Sequence, residues 1–173
     1  GATLSLTIGA SLDPAGVIYT DGAARGNPGP GGYGTILMSG KHKKELWQGY
    51  KHTTNNRMEL MAVIAGLKAL KKENLNVFIY SDSKYVVEAV EKGWLQKWLK
   101  TGFKGNKKNP DLWRQYHLLS RNHNVKFKWV KGHADNPFNN RCDMLATAAA
   151  DGASHTLLDD VGYVNGQNDE LDF

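Results

Sequence analysis

The segment "VIYTDGAARGNPGPGGYG", residues 17–34, opens as an apolar run that ends on Asp21 and then passes glycines at 22, 26, 29, 31, 32 and 34. Glycine-rich segments after strands commonly cradle phosphate on backbone N–H groups. Neither common pattern is present here: no Gly-Lys-Ser/Thr closes the segment, and no helix follows it directly. The chain runs instead into "YGTILMSG" (33–40), which reads as a second strand. The fold therefore starts strand, glycine turn, strand, with a carboxylate where a phosphate site would want a cation.

Working outward, 16–21 is strand one, and 32–39 and 44–51 follow as a hairpin across "GKHK". "TTNNRMELMAVIAGLKALKKEN" (53–74) is the clearest helix. Thr54 or Asn55 can cap it, and Leu60, Val63, Ile64, Leu67 and Leu70 form an i, i+3/i+4 stripe. Residues 76–82 form another apolar strand ending on an acid, 83–93 a helix starting at Ser83, 125–132 an alternating strand, and 139–151 an Ala-rich helix. The order β-β-β-α-β-α…β-α predicts an α/β fold. Three strands make an antiparallel meander, and the first helix then returns strand four parallel to strand one. Asp21 and Asp82 then end neighbouring strands at the carboxyl edge, where open α/β sheets place their sites.

At 173 residues the chain suits one domain with a sizeable core. No run approaches a membrane span, and the N-terminal stretch lacks the basic start of a signal peptide. The single cysteine, Cys142, excludes an internal disulfide and fits a reducing, cytoplasmic setting. All 22 basic residues precede Asp151, while five of the 17 acids follow residue 158, so residues 1–158 carry +10. Such a body suits a polyanion such as nucleic acid, although charge alone is equally consistent with a solubilising surface. The chain is expected to divide into an N-terminal extension (1–15), a main domain (16–158) and an acidic, flexible tail (159–173).

Glu59, in the first turn of the long helix, and Asp143, early in the last helix, join the two strand-end acids. Singly, each has a plain structural role in a turn, at a helix terminus or on the surface. Together they repel unless a cation neutralises them. Carboxylates without a Cys/His cluster suit Mg²⁺ or Mn²⁺ rather than zinc. Four such acids can hold two ions about 3.5–4 Å apart around a phosphodiester. On this reading the glycines let a polyanionic backbone pass close to the metal.

"YTDGAARGNPGPGGYG", "TTNNRMELMA", "IYSDSKYV" and "WVKGHADNPFNNRCDMLA" closely resemble, in order, segments of bacterial type 1 ribonuclease H across residues 16–151. The resemblance implies a five-stranded mixed sheet flanked by helices. It implies endonucleolytic cleavage of RNA paired to DNA by a monomer, giving 5′-phosphate and 3′-hydroxyl ends. It assigns Asp21, Glu59, Asp82 and Asp143 as ligands of two Mg²⁺ ions, with Asp21 bridging them. Asp143 completes the water-activating side, and Glu59 and Asp82 the leaving-group side. His133 matches a mobile-loop histidine that moves protons or helps release product. Asn27, Thr54, Asn55 and Asn56 match substrate-backbone contacts; their amides and hydroxyls can bond 2′-hydroxyls without reading bases. Residues 94–109 resemble a basic protrusion that grips the DNA strand, with Trp94, Lys97, Lys100, Lys104, Lys107 and Lys108. Trp98 serves binding or core, while Trp113, Phe127 and Trp129 read as core. Two departures from the family pattern are Lys84, where an uncharged polar residue is usual, and Asn140, where an acid is common. A non-catalytic hybrid-binding module is the rival reading, and a DNA-cutting or strand-transferring relative is a second.

Overall fold

The structure, a computed structural model, describes residues 16–105, 108–131, 136–152 and 156–171. One sheet contains β1 (Gly16–Ala24), β2 (Gly29–Ser39), β3 (His42–Thr53), β4 (Asn76–Ser81) and β5 (Asn124–Trp129), in the order β3-β2-β1-β4-β5. The first three strands are antiparallel neighbours; β4 pairs parallel to β1, and β5 parallel to β4. The expected meander and crossover are thus both present.

Six helices are described: α1 (Asn55–Ala69), α2 (Lys84–Glu91), α3 (Trp94–Thr101), α4 (Pro110–Ser120), α5 (Pro137–Ala150) and α6 (Val161–Leu171). Strand alternation puts Ile18 and Tyr19 on opposite faces of β1, and each face has its own core. On the Ile18 side, Leu60, Val63, Ile64 and Leu67 of α1 pack with Val77, Ile79 and Trp113. On the Tyr19 side, Cys142 and Leu145 of α5 meet Ile36, with Met38 and Phe138 alongside. Each such fully buried aliphatic side chain contributes roughly 1.5–3 kcal/mol. No described helix is long and apolar enough to cross a membrane.

Helix α1 is shorter than its sequence pattern. Thr54 is the cap, its hydroxyl accepting from Arg57 N at 3.3 Å, and the helix stops at Ala69 with Leu70 extended. Beyond Leu70 the apolar stripe has run out, leaving Lys71, Lys72, Glu73 and Asn74 exposed. Between α2 and β5 the sequence reading assigned no helix, yet α3 and α4 lie there. Gly93, at φ 78°, separates α2 from α3.

Two further expectations need correcting. Trp129 is 46% exposed rather than core, because β5 is an edge strand and the indole lies at its end. The segment read as a flexible tail from residue 159 is anchored at its start. Leu158 bridges to Tyr50 on the outer edge of β3, exchanging backbone bonds with Gly49 and Lys51. Asp160 is 2% exposed and paired with Arg57, and α6 follows it. Composition alone could not show that a buried arginine in α1 waits for this acid.

Candidate active site

The pairing of β1 with β4 ends at Tyr19, but its pairing with β2 continues to Ala24. Asp21 therefore stands where β1 has parted from β4 while β2 still fixes its backbone opposite Gly34. Asp82 directly follows β4, in a turn tied by Ser81 Oγ, which accepts from Ser83 N at 3.1 Å; Ser83 then caps α2. Glu59 comes from α1. Because that helix begins at Asn55, Glu59 is in its second turn, not the first. Asp21, Glu59 and Asp82 each place one carboxylate oxygen within 4.8 Å of the others. Asp143, exposed on α5, lines the same cleft of about 310 Å³ without joining this tight triad.

Crowding shows in the acidities. Burial, and then the charge of Asp82, push Asp21 up to about 8. Burial raises Glu59 well above the carboxylate range, with Asp21 and Asp82 adding to it, and burial raises Asp82 as well. Without a cation the cluster keeps protons at neutral pH. Glu59 Oε2 is buried with no hydrogen-bond partner, and so is the side-chain oxygen of Asn139. Both residues line the cleft. Hard carboxylates beside unpartnered buried oxygens fit Mg²⁺ or Mn²⁺. Asn139 was not singled out from the sequence, although its i, i+4 spacing from Asp143 was the signal that both share one helix face.

The glycines also have a packing task. Gly22 to Ala24 lie within β1, and Gly29 to Gly34 within β2. A Cβ on Gly22 would sit 2.5 Å from Glu59 N, and one on Gly34 would sit 2.7 Å from Leu145 Cβ. A Cβ on Gly32 would meet Ala146 O at 2.5 Å. These positions let α1 and α5 come down onto the sheet from both sides, carrying Glu59 and Asp143 to Asp21. Gly22→Ala is expected to push α1 away, costing about 1–3 kcal/mol by overpacking and most of the activity. Urea unfolding and a cleavage assay check this; full activity would refute it.

On the rim, Asn27 Oδ1 accepts from Asn55 N at 2.9 Å, and Asn55 Oδ1 accepts from Ala24 N at 2.6 Å. These bonds lock the β1–β2 loop to the start of α1, and Asn55 and Asn56 line the cleft. Thr54 is engaged as the α1 cap. A second concavity is lined by Trp94, Lys97, Trp98, Thr101 and Lys104. Trp94 is 37% exposed there, whereas Trp98 packs against the core and Phe103 is buried. Lys100 is on α3 with these residues, the Lys108 carbonyl accepts from the Tyr85 hydroxyl at 3.3 Å, and neither lysine lines the acidic cleft. His133 and Lys107 fall outside the described residues. Lys84 lies with its Nζ 5.2 Å from the Trp129 ring centre, and that indole donates to Asp82 O at 3.3 Å. Asn140 lines the cleft.

A family model described as RNase H matches residues 13–151. The chain is similar to a ribonuclease H of Desulforamulus reducens, 58% identical over 137 residues, covering 77% of this chain and 86% of the relative. Among solved structures it resembles LC9-RNase H1, a type 1 RNase H with the type 2 active-site motif. The TM-score is 0.73 at 28% identity, over 83% of this chain and 75% of that one. It also resembles LC11-RNase H1, solved in complex with RNA/DNA hybrid, with TM-score 0.56 at 26% identity, over 80% of this chain and 98% of that one. The mixed sheet with acids gathered at its carboxyl edge and these likenesses define an endoribonuclease. The chain belongs to the ribonuclease H family, with its bacterial type 1 members.

Proposed function

We propose that the protein hydrolyses the RNA strand of RNA–DNA hybrids using two Mg²⁺ ions, with Mn²⁺ as a substitute. The products carry 5′-phosphate and 3′-hydroxyl ends. The observation that carries this reading is the close triad of buried Asp21 and Glu59 with half-buried Asp82, and an unpartnered Glu59 oxygen. Asp21, Glu59, Asp82 and Asp143 would hold the ions, with Asp143 toward the water and Glu59 and Asp82 toward the leaving group. Bound there, the ions supply a nucleophilic water at neutral pH and neutralise charge on the attacked phosphate. In the net reaction the oxygen of water bonds to phosphorus, the bond from phosphorus to the 3′ oxygen breaks, and that oxygen takes up a proton.

The chain's own groups bind and orient. Asn27, Thr54, Asn55 and Asn56 present amide and hydroxyl groups to the RNA backbone and its 2′-hydroxyls. Trp94, Lys97, Lys100, Lys104, Lys107 and Lys108 hold the DNA strand through phosphates and an aromatic face. His133 moves a proton or assists product release. The hybrid bound by the LC11 relative supports this substrate. The active form is a cytoplasmic monomer.

The test uses 5′-labelled RNA annealed to DNA, annealed to RNA, or left single-stranded, each with and without Mg²⁺. Cutting is expected only in the hybrid and only with metal. A hybrid that is bound yet uncut in both Mg²⁺ and Mn²⁺ would overturn the proposal.

A further inference from the structure

The helix α5 packs on β1, β2 and β3, so on its side of the sheet β4 and β5 extend beyond the helix. Strand alternation turns Phe78 and Tyr80 of β4, and Lys126 and Lys128 of β5, toward that side. The lysines are exposed and the two rings half-buried. Register makes a grid of them: Tyr19, Tyr80 and Lys128 form one row, and Val17, Phe78 and Lys126 the next. The rings of Tyr19 and Tyr80 stack at 4.6 Å and 10°, and Lys128 Nζ lies 5.8 Å from the Phe78 centroid. The positions of β4 and β5 on this face are Asn76, Phe78, Tyr80, Asn124, Lys126 and Lys128, with no carboxylate among them. Two residues beyond Tyr19 and Tyr80 along the chain stand Asp21, on β1, and Asp82, just past β4.

We propose that this face, which no described helix covers, binds single-stranded nucleic acid, separately from the catalytic cleft and from the basic protrusion. Phe78, and the side of Tyr80 not stacked on Tyr19, offer partly exposed aromatic surface against which bases of any sequence can lie, and lysines on the adjacent strand meet phosphates. Cations without acids select a polyanion over an acidic-to-neutral protein surface, and aromatic rings beside them select a polynucleotide over a simple anion. The face adjoins the acid edge, so its natural occupant is a single-stranded flank of a nucleic acid whose paired part lies in the cleft.

The experiment measures fluorescence anisotropy of labelled oligothymidylate with the full chain at several salt concentrations. Lys126→Glu/Lys128→Glu is expected to weaken binding about tenfold or more and to reduce the salt slope by about 1.4, the value for two phosphate contacts on a single strand. Lys71→Glu/Lys72→Glu, a charge-matched change at exposed residues after α1 and outside both strands, is expected to leave binding within about twofold. Phe78→Leu, which keeps bulk but removes the flat ring, is expected to weaken binding about fivefold or more. Cleavage of a blunt hybrid stays unchanged in Lys126→Glu/Lys128→Glu and Lys71→Glu/Lys72→Glu. Equal losses in both lysine pairs would mean overall charge alone, and no loss in either would mean that Lys126 and Lys128 only shield an edge strand. Loss confined to Lys97→Glu/Lys100→Glu would place the oligonucleotide on the protrusion. Each of these three results overturns the proposal.

Discussion

Asp21→Asn is expected to abolish hybrid cleavage and, in chelator, to raise the melting temperature of the same protein. The second effect follows from the sign of the acidity shift. Asp21 ionises near 8 in the folded chain against a reference of 3.8, so the folded state binds the proton more tightly than the unfolded state. Metal-free stability attributable to this group is therefore greatest at acid pH and declines as pH rises from about 4 to about 8. Between those values the slope approaches 1.4 kcal/mol per pH unit. Glu59 and Asp82 share the protons, so at pH 7 we expect Asn to recover about 2 kcal/mol, or roughly 4–8 °C. Thermal melts of both proteins across pH 4 to 8, with and without Mg²⁺, check this. Added Mg²⁺ should stabilise the parent chain and have little effect on the variant. A variant that melts lower than the parent in chelator at every pH would show that the cluster is not under electrostatic strain.

The second large effect lies away from the cleft. Arg57 is 3% exposed and bonds Asp160 through Nε and Nη2 at 2.7 and 3.0 Å, and Asp111 through Nη1 and Nη2 at 2.9 and 2.7 Å. Asp160 Oδ2 also accepts from the Thr53 hydroxyl at 2.6 Å. Asp160→Ala leaves a buried guanidinium short of a partner and is expected to cost about 3–5 kcal/mol, or roughly 6–20 °C in Tm. Arg57→Met/Asp160→Leu, which removes both charges, should recover part of that loss, because no charge is left buried and unpaired, while the Thr53 hydroxyl still loses its acceptor. Urea unfolding of the single and double variants measures the coupling. A single-variant cost under about 1 kcal/mol would mean the pair behaves as a surface contact. Arg57 is two residues from Glu59 and next to Asn56, so KM for hybrid should rise along with the loss of stability.

Much of this architecture was legible in short-range pattern. The apolar runs, the stripe of α1 and the strand-end acids suffice to bring β1 and β4 together in parallel, with Asp21 and Asp82 adjacent. Glu59 was legible as an acid on the edge of a buried face, but its turn depended on which of two capping residues closed the helix. What escaped were features fixed by distant packing. The glycines of β1 and β2 read locally as room for a passing polyanionic backbone, and only the helices descending on both faces reveal why side chains are excluded there. Arg57 keeps the i, i+3, i+7 spacing of Leu60 and Ile64, which marks it as buried, but its partner Asp160 lies 103 residues away. Trp129 reads as core by residue type, and its exposure depends on β5 having no outer neighbour.

The bridge between Leu158 and Tyr50 bears on how the folded chain avoids its own kind. β3 is twelve residues long and forms one margin of the sheet, and such a margin offers unpaired amides and carbonyls to any extended segment it meets. The backbone of Leu158 occupies part of that row from within the same molecule. A chain shortened to residue 151 would bare the row together with Arg57, making strand-to-strand self-association, rather than simple loosening, the characteristic failure of the truncated protein.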